Sequence, residues 1–145
     1  MRKTPTFDDL ERRYADFDTL TEALDYAALG KRGLNFYSPR GELYEAVTYA
    51  ELRERSIAIA QRLMTLGFKP GDRLALIAAN TANFIANFLG AQYAGVLPVP
   101  LPLPTSFGGR EGYVDQLRNQ IKSCGAAGVI SPGDMVELIH EAAEN

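Results

Sequence analysis

Few residues in this chain have types and spacing that could do chemistry. The one glycine-rich turn with a donor beside it is Ser106-Phe107-Gly108-Gly109-Arg110, which leads into a helical pattern whose first amides could receive an anion. Ser106, Gly108, Gly109 and Arg110 are therefore the candidate ligand-facing residues, and a plain flexible loop is the competing reading. A dinucleotide fingerprint needs three glycines spaced two and three apart between a strand and a helix. A phosphate loop needs two glycines spanning four residues before Lys and Ser or Thr, and neither spacing occurs here. There is no Gly-x-Ser-x-Gly elbow, and His140 stands among glutamates, as a solvent-facing histidine would. Cys124 ends an apolar stripe and reads as a small core residue, with a free thiol as the alternative. Asp8, Asp9, Asp16 and Asp18 are dispersed and read as a solvated face. Asn80, where a strand hands over to a helix, reads as a cap or as a ligand contact at the carboxyl end of a sheet. No residue is assigned a catalytic, cofactor-binding or metal-ligating role.

Composition narrows the classes further. At 145 residues, 46% hydrophobic and 23% charged, the chain can bury a core. A net charge of -3 and a pI near 5.2, without a basic stripe, argue against nucleic acid or an anionic membrane as partner. One cysteine excludes an internal disulfide, and with one histidine no Cys/His metal set can be assembled. The basic start lacks the apolar stretch of a secretory signal, and no apolar run is long enough to span a bilayer, so a reducing, cytoplasmic location is expected.

The elements that would position these residues are organised around Gly71 to Leu103, which reads as one β-α-β unit. Arg73 to Ala78 is apolar on both faces, as a buried parallel strand should be. Asn80 is the expected N-cap of a helix whose Phe84, Ile85, Phe88, Leu89 and Tyr93 recur at helical spacing, with alanines on the remaining faces and Gly95 as the stop. Val96-Leu97 opens a second parallel strand, and the alternation of Pro98, Pro100, Pro102 and Pro104 predicts that the chain leaves the sheet there.

Upstream, residues 1–18 read as a leader draped on the body with Phe7, Tyr14 and Phe17 as anchors. Thr19 to Glu22 fits a capping box for a short helix that runs to Gly30. Leu34 to Tyr37 and Leu43 to Val47 flank a Pro/Gly turn and predict a hairpin. A second capping box, Thr48 to Glu51, opens a helix with Leu52, Ser56, Ile59, Leu63 and Leu66 on its buried stripe. Downstream, Glu111 to Cys124 is an amphipathic helix, Ala126 to Ile130 a third parallel strand, and Ser131-Pro132 the expected cap and first position of a last helix buried through Met135, Leu138, Ile139 and Ala142. The fold class is α/β: a partial, doubly wound parallel sheet flanked by helices, with an N-terminal β-hairpin. A sheet this small leaves an edge and apolar face uncovered, so residues 19–145 are expected to be part of a larger domain and prone to self-association through that edge or face.

The string Leu-Gly-Phe-Lys-Pro-Gly-Asp-Arg-Leu-Ala-Leu-Ile at 66–77, Asn80 with Phe84, and Tyr93 to Pro100 resemble the amino-terminal part of the acyl-adenylating, AMP-forming synthetases. The hairpin with Arg40-Gly41 and the proline run followed by Ser106-Phe-Gly-Gly-Arg look most like fatty acyl-AMP ligases. The resemblance implies an enzyme that activates a fatty acid with ATP and magnesium and passes the acyl group to the phosphopantetheine thiol of an acyl carrier protein. The motifs that carry that chemistry in the family have no counterpart among these residues. The chain alone is therefore expected to be inactive, to bind no cofactor itself, and to supply scaffold and part of an acyl tunnel wall. An acyl-CoA synthetase fragment and a non-enzymatic α/β interaction module are the alternatives.

Overall fold

The computed structural model describes residues 10–104 and 109–144. In chain order it contains α1 (Leu20–Ala27), β1 (Gly33–Tyr37), β2 (Leu43–Thr48), α2 (Tyr49–Thr65), β3 (Arg73–Ile77), α3 (Ala82–Tyr93), β4 (Leu97–Leu101), α4 (Gly109–Cys124), β5 (Gly128–Ile130), a 3-10 turn (Gly133–Met135) and α5 (Val136–Ala143). β1 and β2 form the expected antiparallel hairpin, and the parallel sheet has the order β4-β3-β5.

The central strand explains the layering. Leu74 and Leu76 of β3 point to one face and pack with Ala60 and Leu63 of α2, Ala91 of α3, and Val96. Ala75 and Ile77 point to the other and pack with Leu101 and with Tyr113, Val114 and Leu117 of α4 and Ile139 and Ala142 of α5. Burial on both faces is what a strand covered by helices above and below requires. A third cluster joins Phe36 and Val47 of the hairpin to Leu24, Leu52, Ala82 and Ala86. The hairpin and α1 thus form a lobe attached to the sheet through α2 and α3.

Local signals set most boundaries. Thr48 Oγ1 accepts the Glu51 amide at 3.1 Å and Glu51 Oε2 accepts the Thr48 amide at 2.8 Å, a complete capping box. At α1 the box is displaced: Thr19 Oγ1 accepts from Glu22 N, but Glu22 Oε2 accepts the Asp18 amide at 3.0 Å. The fully buried Ser56 is satisfied by donating to Leu52 O at 2.7 Å.

Several expectations are corrected. The chain does not leave the sheet at Pro98, because β4 stays in register with β3 from Leu97 to Leu101. Leu97 N donates to Asp72 O and Leu101 O accepts from Ala78 N, so the odd-numbered peptide groups face β3. The amides missing at Pro98 and Pro100 therefore fall on the open edge, where no partner needs them. Thr81, not Asn80, caps α3: its Oγ1 accepts the Phe84 amide at 3.2 Å. Ser131 makes no cap, since Pro132 precedes a 3-10 turn. The buried face of α3 is Ala82, Ala86, Gly90 and Ala91, and the large residues flank it half-buried. Leu66 is exposed, as is Tyr14, while the ring of Phe17 lies 5.5 Å from that of Tyr26. Phe7 lies outside the described residues.

One polar cluster ties α1, α2 and α3 together. Tyr93 Oη donates to Asp25 Oδ1 at 2.6 Å, and Arg53 Nε donates to the same oxygen at 2.6 Å. The Tyr93 hydrogen bond, followed by Arg53, holds the Asp25 carboxyl below the usual carboxylate range. Burial and the carboxylate push Tyr93 well up, so it stays a donor. A depressed folded-state pKa contributes stability that is present above the unfolded value and lost as pH falls through the folded one. Tyr93→Phe is therefore expected to destabilise the chain at neutral pH, with the gap to the native chain shrinking below about pH 4. Urea unfolding at both pH values reads this, and a gap that stays constant would contradict it.

Candidate functional site

The connections out of β3 and β5 run to opposite faces of the sheet. α3 leaves β3 on the side of α2, and α5 leaves β5 on the side of α4. Adjacent parallel strands whose onward helices part in this way open a crevice at their carboxyl ends, where open α/β sheets bind ligands. A cleft of about 450 Å³ lies there. Its apolar floor is Leu76 and Ile77 with Ile59 from α2. One wall is the start of α3, presenting Thr81, Asn83, Phe84 and Asn87, and the other is the turn from Ile130 through Ser131 to Gly133. Among the described residues no charged side chain lines it. The cleft thus suits an uncharged, largely apolar group approached by neutral hydrogen-bonding side chains, and among the described residues it offers no charged side chain to a phosphate.

The loop between β3 and α3 is fastened from outside the sheet. Tyr44 of β2 donates its hydroxyl to Asn80 O. Glu45 Oε2 accepts the Ala82 amide at 3.3 Å, and Glu45 Oε1 pairs with Arg55 Nη1 of α2 at 3.2 Å. One carboxylate thus joins the hairpin, α2 and the first amide of α3, where a negative charge is favoured.

Of the residues singled out in sequence, Ser106 and Gly108 lie outside the described residues. Gly109 opens α4 with φ 64°, a conformation suited to glycine. Arg110 is held by α5 through Glu141 Oε2 at 2.6 Å, with the guanidinium still largely exposed. Asn80 is exposed and contributes its carbonyl to the Tyr44 contact; its neighbours Ala79 and Thr81, not Asn80, line the cleft. His140 is exposed and Cys124 half-buried. Among the described residues there is no group of three His, Cys, Asp or Glu side chains that could hold a metal ion. The cleft-lining Thr81, Asn83, Asn87 and Ser131 were not singled out as site residues. The signal that finds them is the strand order itself, which places both strand ends at the parting of the connections.

This architecture has solved counterparts. One of the fatty acyl-adenylate ligases of E. coli and L. pneumophila matches 92% of this chain with a TM-score of 0.87 and 41% identity, and the chain covers 24% of it. The L. pneumophila ligase in complex with acyl adenylate and pyrophosphate matches 89% of the chain with a TM-score of 0.74 and 26% identity, the chain covering 22% of it. The fold is that of the amino-terminal part of an adenylate-forming enzyme. The profile of the AMP-binding enzymes matches residues 24–145, and the chain belongs to that family. A Caulobacter vibrioides protein named as an acyl-CoA synthetase is 47% identical over 95% of this chain, and the long-chain-fatty-acid AMP ligase FadD32 of Mycolicibacterium smegmatis is 29% identical over 78% of it. The chain spans about a quarter of the length of the first of these relatives and 17% of the second.

Proposed function

We propose that the chain is part of a fatty acyl-AMP ligase, in which residues 1–18 lie as a leader on the body and residues 19–145 belong to the adenylation domain. The whole protein activates a fatty acid with ATP and magnesium to an acyl adenylate, then hands the acyl group to the phosphopantetheine thiol of an acyl carrier protein in the cytoplasm. This segment supplies scaffold, and its uncharged cleft supplies one wall of the acyl tunnel. The observation that carries the reading is the graded likeness of fold: a TM-score of 0.87 at 41% identity to a fatty acyl-adenylate ligase, against 0.60 at 30% identity to a benzoate CoA ligase. The 47% identity to a protein named as an acyl-CoA synthetase favours a second reading, with coenzyme A as acceptor.

The test is acyl-hydroxamate formation from ATP, a long-chain fatty acid and hydroxylamine. The 145-residue chain is expected to be inert and the whole protein to turn over, without releasing an acyl-CoA when coenzyme A is supplied. An inert whole protein would sink the enzymatic reading; an acyl-CoA product would move it to the second.

A further inference from the structure

The clasp between the hairpin and the β3–α3 loop acts on a wall of the cleft from residues that do not themselves line it. Ala79 and Thr81 line the cleft, and the residues between and after them, Asn80 and Ala82, are the ones held by Tyr44 and Glu45. Glu45 is bonded on its other oxygen to Arg55, one helical turn before Ile59 of the cleft floor. Both elements on this side of the cleft thus meet at one carboxylate. The rest of the wall has little freedom, because α2 and α3 are packed so closely that a Cβ on Gly90 would lie 2.7 Å from Ile59. The opposite wall, Ser131 to Gly133, lies in the turn after β5, and the contacts of Tyr44 and Glu45 are with the other wall. On this side of the cleft, the short segment 79–81 is the part of the lining that the contacts of Tyr44 and Glu45 flank.

We infer that Tyr44 and Glu45 are positioning residues that set the width of the cleft at the β3–α3 loop, and through it the length of acyl chain the enzyme accepts. The inference rests on the reading of the cleft as a wall of an acyl tunnel. A carboxylate that draws the Ala82 amide and Arg55 together keeps the loop against the hairpin and the cleft open. Loss of either contact frees the loop to move over the floor of Leu76 and Ile77, which shortens the space for an alkyl chain. Among the described residues the phosphates of ATP have no charged partner in the cleft, so ATP binding should not follow the loop.

The experiment uses the whole ligase with Tyr44→Phe, Glu45→Gln and the double variant, and measures hydroxamate formation across saturated fatty acids from eight to sixteen carbons. A hydrogen bond of this kind corresponds to about fivefold in a rate or binding constant. The ratio of kcat/KM for the longest to the shortest acid is expected to fall about fivefold in each single variant, through KM for the acid, with KM for ATP unchanged. Tyr44→Phe removes one oxygen and keeps the ring, so it guards against a Glu45 variant that fails to fold. Variants that lose activity equally on every chain length, or keep the native profile, would overturn the inference while leaving the ligase reading intact. A native enzyme that adenylates no fatty acid would overturn the reading beneath it.

Discussion

Gly90→Val is expected to destabilise the chain by about 3 kcal/mol, the largest loss foreseen for a single added side chain. Two terms oppose each other at this position. Glycine inside a helix is about 1 kcal/mol worse than alanine, so a substitution with free space around it would stabilise. There is no free space: the first added carbon would meet Ile59 Cγ2 at 2.7 Å and Ser56 O at 2.8 Å. A rotating Ile59 could move its Cγ2, but its Cβ at 2.8 Å and the Ser56 carbonyl are fixed to the helix backbone and can be relieved only by moving α2 away from α3. Overpacking of this kind costs about 1–3 kcal/mol, which exceeds the gain in helix propensity even for alanine. Valine adds branching carbons toward the same wall and belongs at the upper end. Urea unfolding of Gly90→Ala and Gly90→Val checks both the sign and the order; a stabilised alanine variant would show that the helices are free to separate.

Leu76→Ala is expected to lose about 2–5 kcal/mol. Leu76 is 1% exposed, in the strand flanked by both of its parallel neighbours, and packs in the layer under α2 and α3. Truncation removes its transfer free energy and leaves a void that can collapse little, because β3 is fixed by hydrogen bonds on both edges. Leu76 is also part of the cleft floor, so the void opens into the crevice. Thermal and urea unfolding read the loss, and a drop smaller than about 1 kcal/mol would mean that the surrounding side chains collapse into the void.

Local chemistry made much of this fold legible. The Thr48-Glu51 box, the hairpin turn and the β3-α3-β4 unit depend on residues a few positions apart, and each stands where its spacing puts it. Readings failed where the deciding partner was distant. Asn80 and Thr81 are both good caps, and only the position of the first helical turn chooses between them. Prolines in β4 were tolerable because of the side on which β3 lies, a fact carried by strand order and not by the prolines. The inward face of α3 is small because α2 approaches closely, which Gly90 signals only once α2 is known to be the neighbour. The cleft is the extreme case: its walls are separated by about fifty residues in sequence and come together only through the parting of two helices. Arg110, by contrast, stands out in sequence for its glycine-rich setting, and its partner on α5 gives it a structural use already.

Pro98 and Pro100 also govern how this slab can meet other polypeptide. On the outer rim of β4 they leave carbonyl oxygens facing out with no N–H between them, so an incoming strand from another molecule would find acceptors without the alternating donors a ladder needs. That rim is a stop against strand-to-strand stacking and fibril growth. Lateral extension of the sheet is thereby directed one way, to the flank beside Gly128–Ile130.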